Sequence, residues 1–591
     1  MSLTPAPTCT RHNCLIFLEP PRLRAFFLTA ALLSPGLLAQ DAGTLLRERE
    51  RQEEQQNLER SGRPEATAKQ GQALTLPVEA GETVLVRELQ FSGRTDLFPA
   101  ADQARLVAAV TGKPIGMRGL QALADEVTTS IQRSGRLLAR AVLPPQDITD
   151  GVIQMEIVEG RLEAVEFERG ANVRAREERL RAIAQAGIGE ENVRVADVEG
   201  TLLRMQDHPG VTARARLTPG TRPATSRLIV GLSQSPVFYA ILAADNFGNA
   251  STGRTQGSAA ITLTDLTGRG DRLRLSASGS SGQKYASLAA SLPLGASGVA
   301  AGVNYGYLDY RNTDEQGTTL GLSGEAQFAG VFLDYALIRR RNFNLHLSGA
   351  LDAKALRDDS IVGRLSDKRV VAGTLTLAGD ARDGLLGGGV TSFALGGAYG
   401  DLDLSGEPLS LLIDQAGLKT QGQFLRVNLT VARLQALPAG FSLLGRVQAQ
   451  WADQNLDTSE DFSLGGAYGV RGYPAGEGRG DQGLLGSVEL RYDLPAPAKF
   501  GQMQLAGFFD AGRVTINTRM NGIPPLNVGG TNSYNLAGAG ASLRWNYERL
   551  EFSASWAHAL GSNPGASVMD GSNIDGRKSR QQFWVRTAVR F

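Results

Sequence analysis

From residue 236 onward, the sequence is built of short stretches in which apolar and polar residues alternate. Residues 272–277 read Arg-Leu-Arg-Leu-Ser-Ala, and residues 343–348 read Phe-Asn-Leu-His-Leu-Ser. A period of two places every second side chain on the same face, which is the pattern of a β-strand. One face carries Leu, Val, Phe, Ala and Gly, and the other carries Arg, Gln, Glu, His and Ser. This division suits lipid on one side of the sheet and water on the other.

A closed barrel fits this pattern better than a soluble sandwich, because closure leaves no unpaired strand edge in hydrocarbon. At about 22 residues per strand and loop, residues 236–591 hold about 16 strands, an even number. The final stretch places Phe583 and Phe591 on one face and stops there. Such an ending resembles the C-terminal assembly signal of bacterial outer-membrane proteins, so we expect a barrel domain at 235–591.

The N-terminal residues indicate export. Arg22 and Arg24 precede an apolar run at 25–33, followed by Pro35 and small residues, so residues 1–39 are interpreted as a removable signal peptide. The residues ahead of Arg22 are unusual for a signal, and either an extended signal or a misassigned start explains them. No later run of 18 apolar residues exists, which excludes transmembrane helices.

Residues 40–60 predict a polar helix with Asp41 as its N-cap. Leu45, Leu46 and Leu58 are expected to be too few to dock it against a hydrophobic core. The helix is then either a solvated leader or a helix lodged in a polar cavity. Residues 61–81 predict a flexible linker.

Two units of similar order follow, at 82–160 and 161–234. Each reads as a strand, two helices and two strands, which predicts two small α/β domains in tandem. In the first unit, the helix at 117–133 carries an apolar stripe and ends before Gly135.

A glycine-rich stretch at 465–483 begins with residues 465–474, in which the one arginine, Arg471, lies between glycines and tyrosines. Such a stretch forms a compact loop. By composition alone Arg471 is a solvated surface residue, and the alternative is an arginine held by a fixed polar partner.

Several function classes are disfavoured. The 61 basic and 60 acidic residues nearly cancel, which argues against a nucleic-acid-binding protein. The four histidines are scattered, and the phosphate-binding loop and the nucleophile elbow are both missing from the sequence. We therefore expect no enzyme activity, no metal and no cofactor.

The order of these parts resembles the outer-membrane transporter of two-partner secretion, the TpsB or haemolysin-activation and secretion type, within the POTRA-plus-barrel superfamily. The resemblance covers the mature chain and rests on four motifs: Val470-Arg471-Gly472-Tyr473; Phe508-Phe509-Asp510-Ala511-Gly512; Pro145-Gln146-Asp147-Ile148 with Gly151; and Asp245-Asn246-Phe247-Gly248 with Thr252-Gly253.

The resemblance implies a 16-stranded antiparallel transmembrane barrel preceded by two POTRA domains and an N-terminal helix that plugs the pore at rest. The POTRA domains would stand in the periplasm and capture a secreted exoprotein by its N-terminal secretion domain. Further partners would be outer-membrane lipids and the barrel-assembly machinery. The loop at 465–483 would fold into the lumen, where Arg471 would meet Asp510.

Physical chemistry adds expectations for single residues. Arg471 and Asp510 are expected to form a structural anchor, and the inward-facing Ser487, Glu489 and Arg491 either extend it or line the lumen. The client would add to an edge strand of the first POTRA domain, for which we expect Leu137, Leu138, Ala139, Arg140, Ala141 and Val142. Two other functions stay open: a factor that inserts other outer-membrane proteins, and a passive channel. The cargo stays open too, as an adhesin, a haemolysin, a protease or a contact-dependent toxin.

Overall fold

The computed structural model describes residues 41–61, 83–191, 193–222, 224–495 and 497–591, with the backbone alone at 56–61 and 498. The predicted signal at 1–39 and almost all of the predicted linker at 61–81 lie outside these residues. Among the helices of the described residues, none is both long and apolar enough to cross a membrane.

The first α/β unit forms a three-stranded sheet of order β2-β5-β4, with a small second sheet of β1 and β3. Strands β2 and β5 are parallel, and β4 runs antiparallel to β5. Its elements, after the N-terminal helix α1 (Ala42–Ser61), are β1 (Val84–Leu85), β2 (Glu88–Gly93), α2 (Ala100–Val110), β3 (Pro114–Ile115), α3 (Met117–Arg133), β4 (Ala139–Val142) and β5 (Val152–Glu159). The apolar stripe of α3 packs on the sheet, and Leu123, Val127 and Ile131 are fully buried there.

The second unit repeats this order with a sheet β6-β8-β7 and a core of its own. Its elements are β6 (Arg161–Arg169), α4 (Glu177–Gly187), α5 (Val195–Gln206), β7 (Val211–Pro219) and β8 (Thr225–Gln234). Leu138, which precedes β4 of the first unit, contributes its side chain to this second core. The two units are therefore joined by shared packing.

The remaining chain closes into an antiparallel barrel in which β9 pairs with β26. Its strands are β9 (Phe238–Asp245), β10 (Gln256–Thr264), β11 (Arg272–Gly279), β12 (Gln283–Leu294), β13 (Val299–Arg311), β14 (Ser323–Arg339), β15 (Phe343–Ser360), β16 (Gly363–Asp383), β17 (Gly389–Asp403), β18 (Gly422–Ala436), β19 (Phe441–Ala452), β22 (Gln482–Asp493), β23 (Gln502–Thr515), β24 (Ser533–Tyr547), β25 (Leu550–Leu560) and β26 (Gln581–Arg590). These are 16 strands, as predicted. Between strands lie α6 (Glu315–Leu320), α7 (Pro408–Ala416) and a short ribbon of β20 (Phe462–Ser463) and β21 (Arg479–Gly480).

The alternating pattern sorts the side chains as expected. On the outer wall, Val331, Leu351 and Leu375 expose more than half of their surface, whereas Glu489 and Asp510 are buried inside. The predicted fold class is confirmed, because the apolar face of the closed sheet points outward and the polar face encloses a lumen.

Two segments occupy this lumen. One is α1, and the other is the loop of residues 453–481 between β19 and β22, here named the inner loop. The expectation that Leu45 and Leu46 cannot dock the helix is wrong. Both are buried, with Ala42, in a small cluster on the barrel wall that includes Leu308 and Leu356. The rest of the wall is polar, so a short apolar patch at the start of the helix is sufficient.

Candidate functional site

The tip of the inner loop approaches the barrel wall so closely that it requires glycine. A Cβ atom at Gly472 would lie 2.9 Å from both the backbone nitrogen and the Cα of Ala559 on β25. Because that neighbour is strand backbone, which cannot move aside without breaking the ladder, Gly472 sets the distance between loop and wall. The adjacent Arg471 is thereby placed over β22 and β23.

Arg471 and Asp510 meet in a bidentate ion pair. Arg471 Nε lies 2.8 Å from Asp510 Oδ2, and Arg471 Nη2 lies 2.8 Å from Asp510 Oδ1. The backbone N–H of Arg471 also donates to Asp510 Oδ2 over 3.2 Å. The Asp510 side chain is fully buried and that of Arg471 is 11% exposed. A parallel fork of this kind fixes direction as well as distance.

Glu489 extends the pair into a network. It accepts from Arg471 Nη1 at 2.9 Å, from Arg491 Nε at 2.8 Å and from Arg544 Nη1 at 2.9 Å. The hydroxyl of Ser487 donates to Asp510 over 2.7 Å. The structure therefore brings together every lumen residue that the sequence singled out. Arg544 was not identified from the sequence as part of this network. Its alternation with the lipid-facing Leu543 and Trp545 on β24 could have shown that it faces the lumen.

Aromatic residues complete the enclosure of Arg471. Its guanidinium carbon lies 3.3 Å from the ring centroid of Phe508, so the cation stacks on that ring. Trp584 on the last strand donates its Nε1–H to the carbonyl oxygen of Arg471 over 2.9 Å. Phe247 packs edge-on against both Trp584 and Tyr468. The motif at 245–248 and the last strand therefore both hold the loop, a role that the sequence did not indicate for Trp584.

Val470 and Tyr473 point into an apolar cluster on the other side of the loop. Both are almost completely buried. Their neighbours are Phe462, Leu464, Leu485, Val514, Tyr534, Leu536 and Ala559. In the motif, Val470 and Tyr473 therefore pack in the apolar cluster, Arg471 forms the ion pairs, and Gly472 permits close approach to the wall.

Helix α1 is held mainly by charges that reach it from the wall and from the inner loop. Lys368 lies 2.8 Å from Asp41 of the helix and 2.8 Å from Asp457 of the loop. Lys354 lies 3.0 Å from Glu50 and 3.1 Å from Glu460 in the same way. These lysines and loop carboxylates were not identified from the sequence, because nothing in the alternation of a wall strand shows which polar residue meets the helix.

Further contacts join the helix directly to the inner loop and the neighbouring strands. Arg479 of the loop lies 2.6 Å from Glu48. Arg49 contacts Gln256 and lies 3.2 Å from Gln283 Oε1, while Arg446 donates to Gln55 over 2.9 Å. The side chain of Asp41 accepts from the backbone N–H of Thr44 over 2.9 Å, as predicted for an N-cap.

The predicted client edge is divided between two environments. Ala139, Arg140, Ala141 and Val142 form β4, an edge of the first sheet, next to α3. Leu137 and Leu138 precede it, and the Leu137 N–H donates to the carbonyl of Val193 in the second unit over 3.1 Å. Within β4, the N–H of Ala141 is occupied by the Thr128 hydroxyl of α3 at 2.9 Å. One backbone donor of this edge is therefore already used by α3.

Phe583 and Phe591 lie at the two ends of the last strand and are 61% and 52% exposed on the outer wall. The backbone of Phe591 exchanges two hydrogen bonds with Ala240 of β9, at 2.9 and 3.2 Å. The final residue therefore takes part in closing the barrel.

The geometry supports attachment and occlusion rather than bond-making. Among the described residues, no cluster of three or more His, Cys, Asp or Glu side chains comes together to hold a metal. Buried ion pairs link a loop or a helix to the wall, as Lys354 does with Glu460 and Glu50. Such an arrangement fills the lumen with polar material.

Comparison with known families gives two matches. The haemolysin secretion/activation proteins ShlB, FhaC and HecB define a family whose model matches residues 224–545. The ShlB-type POTRA domain matches residues 84–160.

Individual relatives agree with these matches. The chain is 26% identical over 561 residues to the heme/hemopexin transporter protein HuxB of Haemophilus influenzae, covering 92% of this chain and 94% of the relative. It is 26% identical over 507 residues to the outer membrane transporter CdiB of Escherichia coli, covering 83% and 82%. The solved structure of Escherichia coli CdiB superposes with a TM-score of 0.63 at 21% identity, covering 92% of this chain and 98% of that one. BamA from Haemophilus ducreyi lacking POTRA domains 1–3 gives 0.53 at 14% identity, covering 86% of this chain and 100% of that one, which shows the shared fold alone.

Proposed function

The chain belongs to the haemolysin secretion/activation family of ShlB, FhaC and HecB, and we propose that its cargo is one dedicated exoprotein, captured through an N-terminal secretion domain. As in this family, it is an outer-membrane two-partner secretion transporter whose POTRA domains lie in the periplasm. The observation that supports a dedicated cargo best is the filled lumen. A passive channel has no need of a helix and a loop that interlock inside it.

Capture begins at the first POTRA domain. Strand β4 lies at the edge of its sheet and α3 lines it, so an extended segment of the client adds beside them through backbone hydrogen bonds. The Thr128 hydroxyl already occupies the N–H of Ala141. The client therefore relies on the outward backbone groups next to that position and on side-chain contacts with α3.

Export then requires α1 to leave the lumen while the inner loop stays. The helix is polar along most of its length and carries its own charges into water when it leaves. The anchor of Arg471, Asp510 and Glu489 keeps the loop against β22 and β23 during this exchange. These three residues serve position and stability, and none of them acts on the cargo chemically.

The test uses a photo-crosslinking residue at Arg140 on β4, in cells that also produce the large exported protein encoded beside this gene. The matched control is Arg216 on β7, which is likewise exposed on an edge strand, in the second domain. We expect the secreted partner to crosslink at Arg140 and not at Arg216. Equal crosslinking at both positions, or at neither, would contradict capture at β4.

Deletion of residues 84–217 separates the proposed function from its alternatives. We expect export of the partner to stop while the barrel remains in the outer membrane. A general fall in other outer-membrane proteins would instead identify an assembly factor. Small-solute conductance that is independent of both the partner and the deletion would identify a passive channel.

A further inference from the structure

The outer wall of the barrel contains a groove of about 1570 Å³ that runs across strands β11 to β18. It follows the hydrogen-bonding direction of the sheet. Leu333 on β14 faces Gly349 on β15, Gly349 faces Leu375 on β16, and Leu375 faces Gly397 on β17. Large and small residues therefore alternate from strand to strand, and the glycines form the floor between leucine walls.

The floor has room for additional atoms. A Cβ atom at Gly397 would have no heavy atom within 4 Å, and one at Gly349 would meet only the tip of Leu375, at 4.0 Å. The walls are open to the surroundings, with Leu333 55%, Leu351 62% and Leu375 59% exposed. A surface of this shape in hydrocarbon gains dispersion contacts only from a ligand that enters the groove.

The periplasmic end of the groove is basic. Arg269 belongs to the turn between β10 and β11, and Arg176 precedes α4 of the second POTRA domain. Both side chains are exposed and line the groove. The backbone N–H of Arg176 donates to the carbonyl of Gly268 over 3.0 Å, so the turn that carries Arg269 is held against the segment that carries Arg176. The neighbouring carboxylate of Asp271 accepts from the backbone N–H groups of Leu266 and Thr267, both at 3.0 Å, and is committed to the turn.

We propose that this groove binds one phospholipid of the periplasmic leaflet, with its phosphate between Arg176 and Arg269 and its acyl chains along the glycine floor. The position of the groove indicates a lipid as its ligand, because the groove opens to hydrocarbon and ends where the headgroups of the periplasmic leaflet lie. The charge selects the headgroup, since guanidinium groups pair with phosphate oxygens. One arginine comes from the barrel and one from the POTRA domain, so the lipid also bridges the two.

The test measures lipid binding to the full-length protein in mild detergent by native mass spectrometry. Dioleoylphosphatidylglycerol is compared with dioleoylglycerol, which has the same chains and no phosphate. We expect one tightly retained phosphatidylglycerol per chain and no retained dioleoylglycerol. Substituting Arg176→Ala or Arg269→Ala is expected to weaken retention about fivefold each.

Filling the floor tests the groove itself. Gly349→Leu with Gly397→Leu is expected to abolish the retained lipid. The control is Gly445→Leu with Gly507→Leu, on lipid-facing positions of β19 and β23 where an added Cβ also meets nothing within 4 Å. Equal lipid retention by the two double variants would contradict binding in the groove. Equal retention of phosphatidylglycerol and dioleoylglycerol would contradict recognition of the phosphate. A dimer of the protein that is lost only in the Gly349/Gly397 variant would show a second copy as the occupant and overturn the proposal. Should the leucine variants fail to fold, the arginine variants and the lipid comparison decide alone.

Discussion

The ion pair between Arg471 and Asp510 allows an asymmetric prediction. Replacing Arg471 by alanine removes both side-chain hydrogen bonds to Asp510, whose side chain is fully buried and is left with the hydroxyl of Ser487 and the backbone N–H of residue 471. Stranding one member of a buried pair costs about 3–5 kcal/mol. Replacing Asp510 by alanine instead leaves Arg471 with Glu489 at 2.9 Å and with the ring of Phe508. That change should cost about 1–3 kcal/mol, the value for a lost charged hydrogen bond.

The double variant then distinguishes pairing from independent effects. We expect Arg471→Ala with Asp510→Ala to cost no more than Arg471→Ala alone, because the stranded carboxylate is removed as well. The free energy of unfolding is measured in urea with the barrel in lipid vesicles, alongside export of the partner. The control is Arg433→Ala, which breaks a similar fork to Asp383 at 2.8 and 3.0 Å at the exposed end of the barrel and should change little. Additive losses in the double variant, or Arg471→Ala that unfolds like the parent, would refute the anchor.

Three further predictions follow from the same contacts. Gly472→Ala should destabilise the inner loop by about 1–3 kcal/mol, since its Cβ would overlap the backbone of Ala559; limited proteolysis of the loop measures this, and Gly445→Ala is the control. The double variant Lys354→Ala with Lys368→Ala should raise the open probability of the pore in planar bilayers, because each lysine links α1 to the inner loop. An unchanged open probability would argue against the helix as plug. His208 packs against the barrel turn at Gly270, and burial holds its pKa below the ordinary 6.5. Because the unfolded chain binds this proton more readily than the folded protein, the free energy of unfolding should fall as the pH drops below 6.5. His208→Gln should flatten this pH dependence, measured by urea unfolding between pH 5 and 8.

The two-residue period of apolar and polar side chains was sufficient to predict the barrel, but not to predict the contacts inside its lumen. Alternation of residues such as Leu273 and Arg274 fixes which face of a strand is apolar, so barrel and strand number could be predicted. The facing of Asp510 followed from the same rule, once Phe509 was assigned to lipid. What alternation cannot show is which inward residues meet across the lumen. Lys368 and Trp584 lie on distant strands, and Glu460 lies in the inner loop. Their contacts between the wall, α1 and the loop arise only when the barrel closes.

The helix itself and its N-cap were predicted, but the expectation that its leucines could not dock it failed for a related reason. Leu45 and Leu46 look too few to dock a helix when the rest of that helix is polar, and against a large apolar core they would be. Their actual partner is a local cluster around Leu308 and Leu356, on inward positions of β13 and β15 where polar residues were expected. A hydrophobic pattern averaged over a whole strand does not reveal a single apolar residue on its polar face. Leu308 and Leu356 are two such residues, and they are part of the docking site of the helix.

The two ion-pair networks in the lumen differ in the charges that remain unpaired when α1 or the inner loop departs, and this difference predicts which segment leaves. If α1 leaves, Lys368 keeps Asp457 and Lys354 keeps Glu460, so neither lysine is left without a carboxylate. The helix takes Asp41 and Glu50 into water, where solvation replaces the lost pairs. If the inner loop leaves, Asp510 loses both bonds to Arg471 and stays enclosed by β22 and β23 without a cation. Removal of the helix therefore separates charges that are each satisfied elsewhere, whereas removal of the loop strands one. By the same physical rule that fixes the loop at rest, we expect the helix to be the replaceable occupant of the pore.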